Sequence, residues 1–210
     1  MPRIPTSPAL AGLLIAATFS GCTGRMDYRT AFINTQARAV QPAFQGTAVL
    51  VTTPESDAKA IKKHPSGVVG GANAIAFPAG QYLREIGLET YRRAFAGGAS
   101  HASEVPAPGG TAIIIQPQLK DFTYKIKMPL FKQVNAVAQV SLRVTYRDAA
   151  GSVLKEADYS SGYVPGDTTF ESDPATIVNR AVHQAFWVAF QQSVADLKTM
   201  PQIMPGASGK

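Results

Sequence analysis

From residue 134 to residue 146 the chain alternates in side-chain character with a single lapse. Val134, Ala136, Ala138, Val140, Leu142, Val144 and Tyr146 are apolar; Asn135, Gln139, Ser141, Arg143 and Thr145 between them are polar, with Val137 the exception. A period of two gathers apolar groups on one side only if the chain is extended; wound as a helix, the same residues would scatter around the axis. The segment is therefore a long strand with one face to cover and one face wet. Asp148, Ala149, Ala150 and Gly151 follow with turn chemistry, and residues 153–163 return antiparallel. A hairpin of this length with one apolar face requires a second layer on that face.

The rest of the chain supplies the layer. Residues 46–53 (GTAVLVTT) form a β-branched run bounded by Gly46 and Pro54 and read as a strand. Residues 54–77, polar and then Gly-rich from Ser66 to Gly71, read as a loop. Pro78 opens a helix that runs to Phe95: Tyr82/Leu83, Ile86, Thr90/Tyr91 and Ala94/Phe95 recur every four residues, charged residues fill the remainder, and Gly97-Gly98 ends it. The stretch to Gly110 is rich in Gly, Pro and Ala and reads as a surface loop. Residues 111–119 carry Ile113-Ile114-Ile115, a strand buried on both faces; Phe122, Tyr124 and Ile126 alternate with Thr123, Lys125 and Lys127 until Pro129. Ser172-Asp173-Pro174 cap a last helix whose apolar positions run from Ile177 to Leu197, with Arg180, His183, Gln184, Gln191 and Asp196 on its wet side. The expected fold is α+β: a two-layer sandwich, mostly antiparallel, in the order strand, helix, strands, helix, with two helices on one face of the sheet.

The amino terminus carries an address. Arg3 is followed by an uncharged, mostly apolar run at residues 9–19, then Ser20, Gly21 and Cys22, with no acid before Asp27. A charged start, a short apolar stretch and a small-residue exit are the parts of a secretory signal peptide, and the run is shorter than the roughly 20 apolar residues of a membrane span. Phe19-Ser20-Gly21-Cys22 resembles the bacterial lipobox, departing from it in Phe19 where Leu is usual. The resemblance implies that Cys22, the only cysteine, becomes the acylated first residue of the mature chain. Thr23 in the next position, rather than Asp, is what the resemblance associates with sorting to the outer membrane, facing the periplasm. The expected organisation is a signal peptide at 1–21, a lipid-anchored tether at 22–44, one domain at 45–198 and a flexible tail at 199–210.

Without residues 1–21 the net charge is about +5. That suits an anionic setting of lipid headgroups or wall polymer, and is too dilute to imply nucleic acid. No thiol remains for a disulfide once Cys22 is acylated, so packing alone must hold the fold.

Catalytic motifs are missing where they would be looked for. His64, His101 and His183 share no metal-ligand spacing and read as solvent-facing; no Gly-x-Ser-x-Gly elbow occurs; the glycines at 67–71 match neither a phosphate loop nor a dinucleotide fingerprint. Asp167, Glu171 and Asp173 suit the positive end of the last helix. No catalytic residue, metal ligand or cofactor is expected. The surface feature left is basic: Lys120, Lys125, Lys127 and Lys132 surround a strand that also bears Phe122 and Tyr124, and Arg143 and Arg147 join them in one strand register only. Such a patch contacts an anionic lipid or glycan, or a protein partner; the plainer alternative is lysine guarding an edge strand against aggregation.

With these elements in order, the chain resembles small envelope lipoproteins of the YajG type, and shares the strand-helix-strands-helix plan of LptE-like and ABC-transport auxiliary lipoproteins. The resemblance lies in FSGC at 19–22, AGQYLREIGLETYRRAF at 79–95, and the hairpin NAVAQVSLRVTYRDAAGSVLKEADYSSGY before the last helix. It implies a non-catalytic accessory, anchored in the membrane through acylated Cys22, that contacts another envelope protein in assembly or transport.

Overall fold

The computed structural model describes residues 24–25, 42–66, 74–107, 113–127, 135–166, 174–200 and 203. The signal segment, Cys22, Lys132, Asp167, Glu171 and the cap residues Ser172 and Asp173 lie outside the described residues. The elements are β1 (Gly24–Arg25), β2 (Ala48–Val51), α1 (Pro54–Asp57), β3 (Ile61–Lys63), β4 (Ile75–Phe77), α2 (Ala79–Ala94), β5 (Ala99–Ala102), β6 (Ile113–Lys127), β7 (Asn135–Arg147), β8 (Val153–Ser160), β9 (Val164–Pro165) and α3 (Pro174–Leu197).

The alternation of residues 134–146 becomes β7, whose even-numbered residues from Ala136 to Tyr146 are buried and whose odd-numbered ones are partly exposed. β7 lies between β6 and β8, antiparallel to both, and β9 also pairs with it. The hairpin turn closes as its residues demand: the Asp148 carboxylate accepts from the Ala150 and Ser152 backbones at 2.9 and 2.8 Å, and Gly151 takes φ 85°, which a side chain disfavours. β6 is a single strand rather than two, and it absorbs its irregularity in a bulge at Lys120, between Leu119 and Asp121.

The sheet is mixed, and here the expectation of a mostly antiparallel sandwich is corrected. Its order is β5-β2-β6-β7-β8, and β2 runs parallel to both neighbours, pairing Ala48 with Ala99 and Ala48 with Ile113. The cause is α2: a helix between β2 and β5 carries the chain back to its starting end, so the next strand enters in the same direction. β5 itself (ASHA) has no apolar alternation and lies in the stretch read as surface loop. Residues 54–77, read as loop, contain α1 and the strands β3 and β4 of a second, three-stranded sheet, ordered β1-β4-β3. β1 comes from the segment read as a tether, and its Gly24 and Arg25 pair in parallel with Ile75 and Ala76. The small sheet joins the large one where the Ser66 N–H donates to the Tyr124 carbonyl (2.8 Å), the Tyr124 hydroxyl donates to the Lys63 carbonyl (3.2 Å), and Phe77 packs edge-on against Phe122.

Both long helices cover the same sheet face. A Cβ added to Gly87 of α2 would lie 2.8 Å from Phe190 of α3 and 3.3 Å from Leu50 of β2, so the two helices and the sheet meet at that glycine. Tyr82 stacks on Phe186 with centroids 5.5 Å apart, a pairing that contributes about 1 kcal/mol beyond area burial. A chain of hydroxyls runs through this core. Tyr91 meets Ser193 Oγ at 2.7 Å, Tyr146 donates to the Ser193 carbonyl at 3.1 Å, and Tyr159 lies 3.3 Å from Tyr146 and donates to Asp196 at 2.5 Å; Lys155 closes the chain on the same carboxylate. Burial raises the pKa of Tyr146 well above that of a free phenol, so these groups act as neutral donors.

α2 begins without a side-chain cap. Instead the Gly80 N–H donates to the Lys59 carbonyl at 3.0 Å, and α1 lies so close that a Cβ at Gly80 would sit 1.9 Å from the Ser56 oxygen. Past α3, Met200 and Ile203 are buried against the core, inside the segment read as a tail.

Candidate functional site

The helices occupy one face of the large sheet and leave the other open. On that open face the strand register sets Gln118 beside Arg143 beside Asp158, Asp121 beside Ser141 beside Ser160, and Thr123 beside Gln139. Alternation explains the content: along Gln116–Lys125, Gln139–Arg147 and Glu156–Ser160 the residues on this face are hydroxyls, amides and charges, with Val137, earlier on β7, the exception.

The register brings three of the expected basic residues into this region and engages two of them, Arg143 and Lys125. Arg143 forms a fork on Asp158, with its Nε and Nη2 at 2.7 and 2.8 Å from the two carboxylate oxygens, and its Nη1 lies 3.5 Å from Glu156. That hydrogen bonding holds Asp158 below the ordinary carboxylate pKa, helped by the charge of Lys120, and raises Arg143. Lys120 is the bulge residue, and exposed. Lys125 sits 4.1 Å above the ring of Tyr163, a cation–π contact that also lowers the Tyr163 pKa after the Thr123 hydrogen bond. Lys127 is the last residue of β6, at the register position opposite Asn135. Arg147 turns to Gln116 and the Gly151 carbonyl instead of joining the patch. The region is thus an array of paired charges among neutral polar groups. Glu156, Asp158 and Tyr163, which make it so, were not singled out from sequence; counting residues outward from the turn at 148–151 places both acids opposite Thr145 and Arg143.

A cleft of about 490 Å³ lies beside this face, between α1, the start of α2 and β6, lined by Thr52, Glu55, Lys59, Leu83, Gln118 and Leu119 among others. Behind it the Asp57 carboxylate receives Arg84 at 3.1 Å and lies 3.7 Å from His101 Nε2, while Thr52 Oγ1 meets the same His101 nitrogen at 2.8 Å. Hydroxyl, imidazole and carboxylate are close, but a relay needs the two partners on opposite ring nitrogens. Both use Nε2 here, and Thr52 is 2% exposed. The cluster binds α1 to α2 and β5.

The histidines fall in three environments. His64 is exposed and His101 is held by Thr52. His183, expected to face solvent, is 6% exposed, and its Nε2 has no hydrogen-bond partner among the described residues. Asn179 one turn before it bonds Tyr82 of α2, and Trp187 one turn after lies under Arg93 of α2, so the second helix covers this polar stripe. Burial lowers the His183 pKa to about 4. Among the described residues no three His, Cys, Asp or Glu side chains cluster as metal ligands, and no helix is long and apolar enough to cross a membrane.

Compared with solved structures, the chain superposes on the crystal structure of a Xanthomonas campestris protein assigned to family DUF330, with TM-score 0.51 and 13% identity over 86% of this chain and 96% of that one. The fold is shared. A lipoprotein structure from Caulobacter crescentus CB15 aligns with TM-score 0.36 and 17% identity, covering 57% of this chain and 80% of that one. Lipoprotein B from Nitrosomonas europaea aligns with TM-score 0.32 and 12% identity, covering 84% and 94%. No family model and no curated protein matches the sequence.

Proposed function

We propose that the protein is a lipid-anchored accessory of the bacterial cell envelope: residues 1–21 are removed, Cys22 is acylated, and the domain, at the outer membrane on its periplasmic side, serves envelope assembly or transport without catalysis, presenting its open sheet face to another envelope protein. The anchor is supported by the lone cysteine at the end of a signal-type segment. The observation that carries the protein-partner role is the state of Arg143. Engaged by Asp158 at two points and by Glu156 at a third, it has little charge left for a phosphate or sulfate, and the face around it offers matched signs and neutral donors. Matched charge in a flat polar face selects a complementary protein surface and steers its approach. A second reading, an anionic glycan held on the open face, is favoured by Lys125 over Tyr163 with Thr123 and Gln139 close by.

The test starts from membranes of cells making the wild type and Cys22→Ala. The wild-type amino-terminal peptide carries acyl mass on Cys22, and the variant leaves the membrane fraction. A photo-crosslinker at Gln139 on the open face captures a discrete envelope protein, while one at Gln184, exposed on the helix layer, does not. An unmodified chain beginning at Met1 sinks the anchor. A bare Gln139 beside salt-sensitive glycan binding that weakens in Lys125→Ala moves the assignment to the second reading.

A further inference from the structure

Two exposed cations lie in or beside the small sheet. Between Asp57 and Glu85 the sequence contains no acid, and Lys59, Lys62, Lys63 and Arg84 fall in that interval. Arg84 is taken up by Asp57 and Glu85, and Lys63 lies 3.9 Å from Asp121, whereas Lys59 and Lys62 are exposed. Lys62 stands opposite Ala76, and Ala76 stands opposite Arg25 on its other side. Two strand spacings separate the outer register positions, so Arg25 and Lys62 take places about 10 Å apart in one row.

The position of β1 gives this row its meaning. Gly24 is two residues after Cys22, and two extended residues span at most about 7 Å. Salt screens exposed charges over about 8 Å at physiological ionic strength. Had residues 22–44 been free coil, the domain would range over roughly 26 Å, and its cations would be invisible to the bilayer most of the time. Pairing of Gly24 and Arg25 with Ile75 and Ala76 removes that freedom: it holds β1 within about one screening length of whatever holds Cys22, and Lys62, across β4, within about two.

We infer that β1 pins the lipidated end of the chain to β4, and that the small sheet is the surface laid on the membrane, with Lys59 and Lys62 against anionic phosphate headgroups of the leaflet that holds the acyl chains. This rests on the acylation of Cys22 proposed above. It also orients the domain. The small sheet joins β6 at Tyr124, whereas Val153, 54% exposed at the start of β8, pairs with Arg147, which pairs with Ile114. Ten residues of strand separate the two places, about 33 Å, so the β7–β8 turn points away from the bilayer.

The test uses the full lipidated chain. Cys22 is the only cysteine and its sulfur is blocked by acylation, so a fluorophore on His64→Cys or on Val153→Cys reports one place. Both forms are reconstituted in phosphatidylcholine vesicles containing phosphatidylglycerol and a headgroup-attached quencher. Quenching is expected to be several-fold stronger at 64 than at 153, and to fall at 64 when Lys59→Glu and Lys62→Glu are combined or when a flexible Gly-Ser spacer is inserted between Thr23 and Gly24. Equal quenching at the two positions, with acyl mass present on Cys22, overturns the docked orientation and leaves the anchor standing. A label at 64 that is shielded from aqueous iodide and is also not reached by the headgroup quencher assigns the surface to a contact between copies of the protein and overturns it equally. A Cys22 without acyl mass overturns the anchor, and this inference with it.

Discussion

His183 shows at the residue scale how burial turns an ordinary side chain into a condition on the fold. Its ring is neutral in the native core, with the pKa lowered to about 4 by desolvation, while in the unfolded chain it titrates near 6.5. A group whose native pKa lies below its unfolded one binds more protons when unfolded, so stability is lost as pH falls from above 6.5 towards 4. Between pH 7.5 and pH 5 this residue alone is expected to cost about 2 kcal/mol, read as a fall in the urea midpoint, and His183→Phe is expected to flatten that dependence. An unchanged midpoint in the wild type over the same range would mean that the ring finds water or an acceptor in solution. The tyrosines contrast with it: Tyr91, Tyr146 and Tyr159 are each supplied with a partner, so their burial leaves no comparable debt at neutral pH.

At the scale of elements, α1 is the shortest helix among the described residues and its seat is the least tolerant. Four residues cannot persist as a helix alone, so α1 depends on Thr53, whose hydroxyl accepts from the Ser56 backbone at 3.2 Å, and on Asp57 bound to Arg84. Its carbonyls occupy the space a side chain at Gly80 would need. Gly80→Ala is expected to cost about 1–3 kcal/mol by chemical denaturation, the range for forcing a methyl group into filled space, while Gly98→Ala, with nothing near its Cβ, acts only through its φ of 77°. If the Gly80 variant is as stable as the wild type, α1 is not seated as described. Such contacts also mark where sequence stops being informative. The β7–β8 hairpin was legible because its alternation and turn are local. So was α2, expected over 78–95 and found at Ala79–Ala94. β3, β4 and β5, at three or four residues each, are strands only because a distant segment offers a ladder; nothing in IKK, IAF or ASHA has a period to detect. The parallel pairing of β2 followed from the missed β5. The site fared similarly: Lys120, Lys125 and Arg143 could be named from sequence, but whether they were free required the register, and the register supplied Asp158 and Glu156.

The whole molecule is two-faced, with helices on one side of the large sheet, paired charges on the other, and a small basic sheet at one end. Each surface belongs to a different neighbour in the functional assignment: core, partner and bilayer. The division has an optical consequence. Trp187, the single tryptophan, lies half-buried in the helix layer with the Arg93 guanidinium 5.4 Å from its ring centroid, on the far side of the sheet from Arg143 and Gln139. Its emission therefore reports the helix layer alone. When the crosslinked partner is added to the purified domain, the emission maximum is expected to stay where it is, and a displacement on saturation would place the partner on α2 and α3. Acid should move the same signal without any partner, since His183 is one turn away. The lamp lies on the side away from the proposed partner face, so its silence is the informative colour.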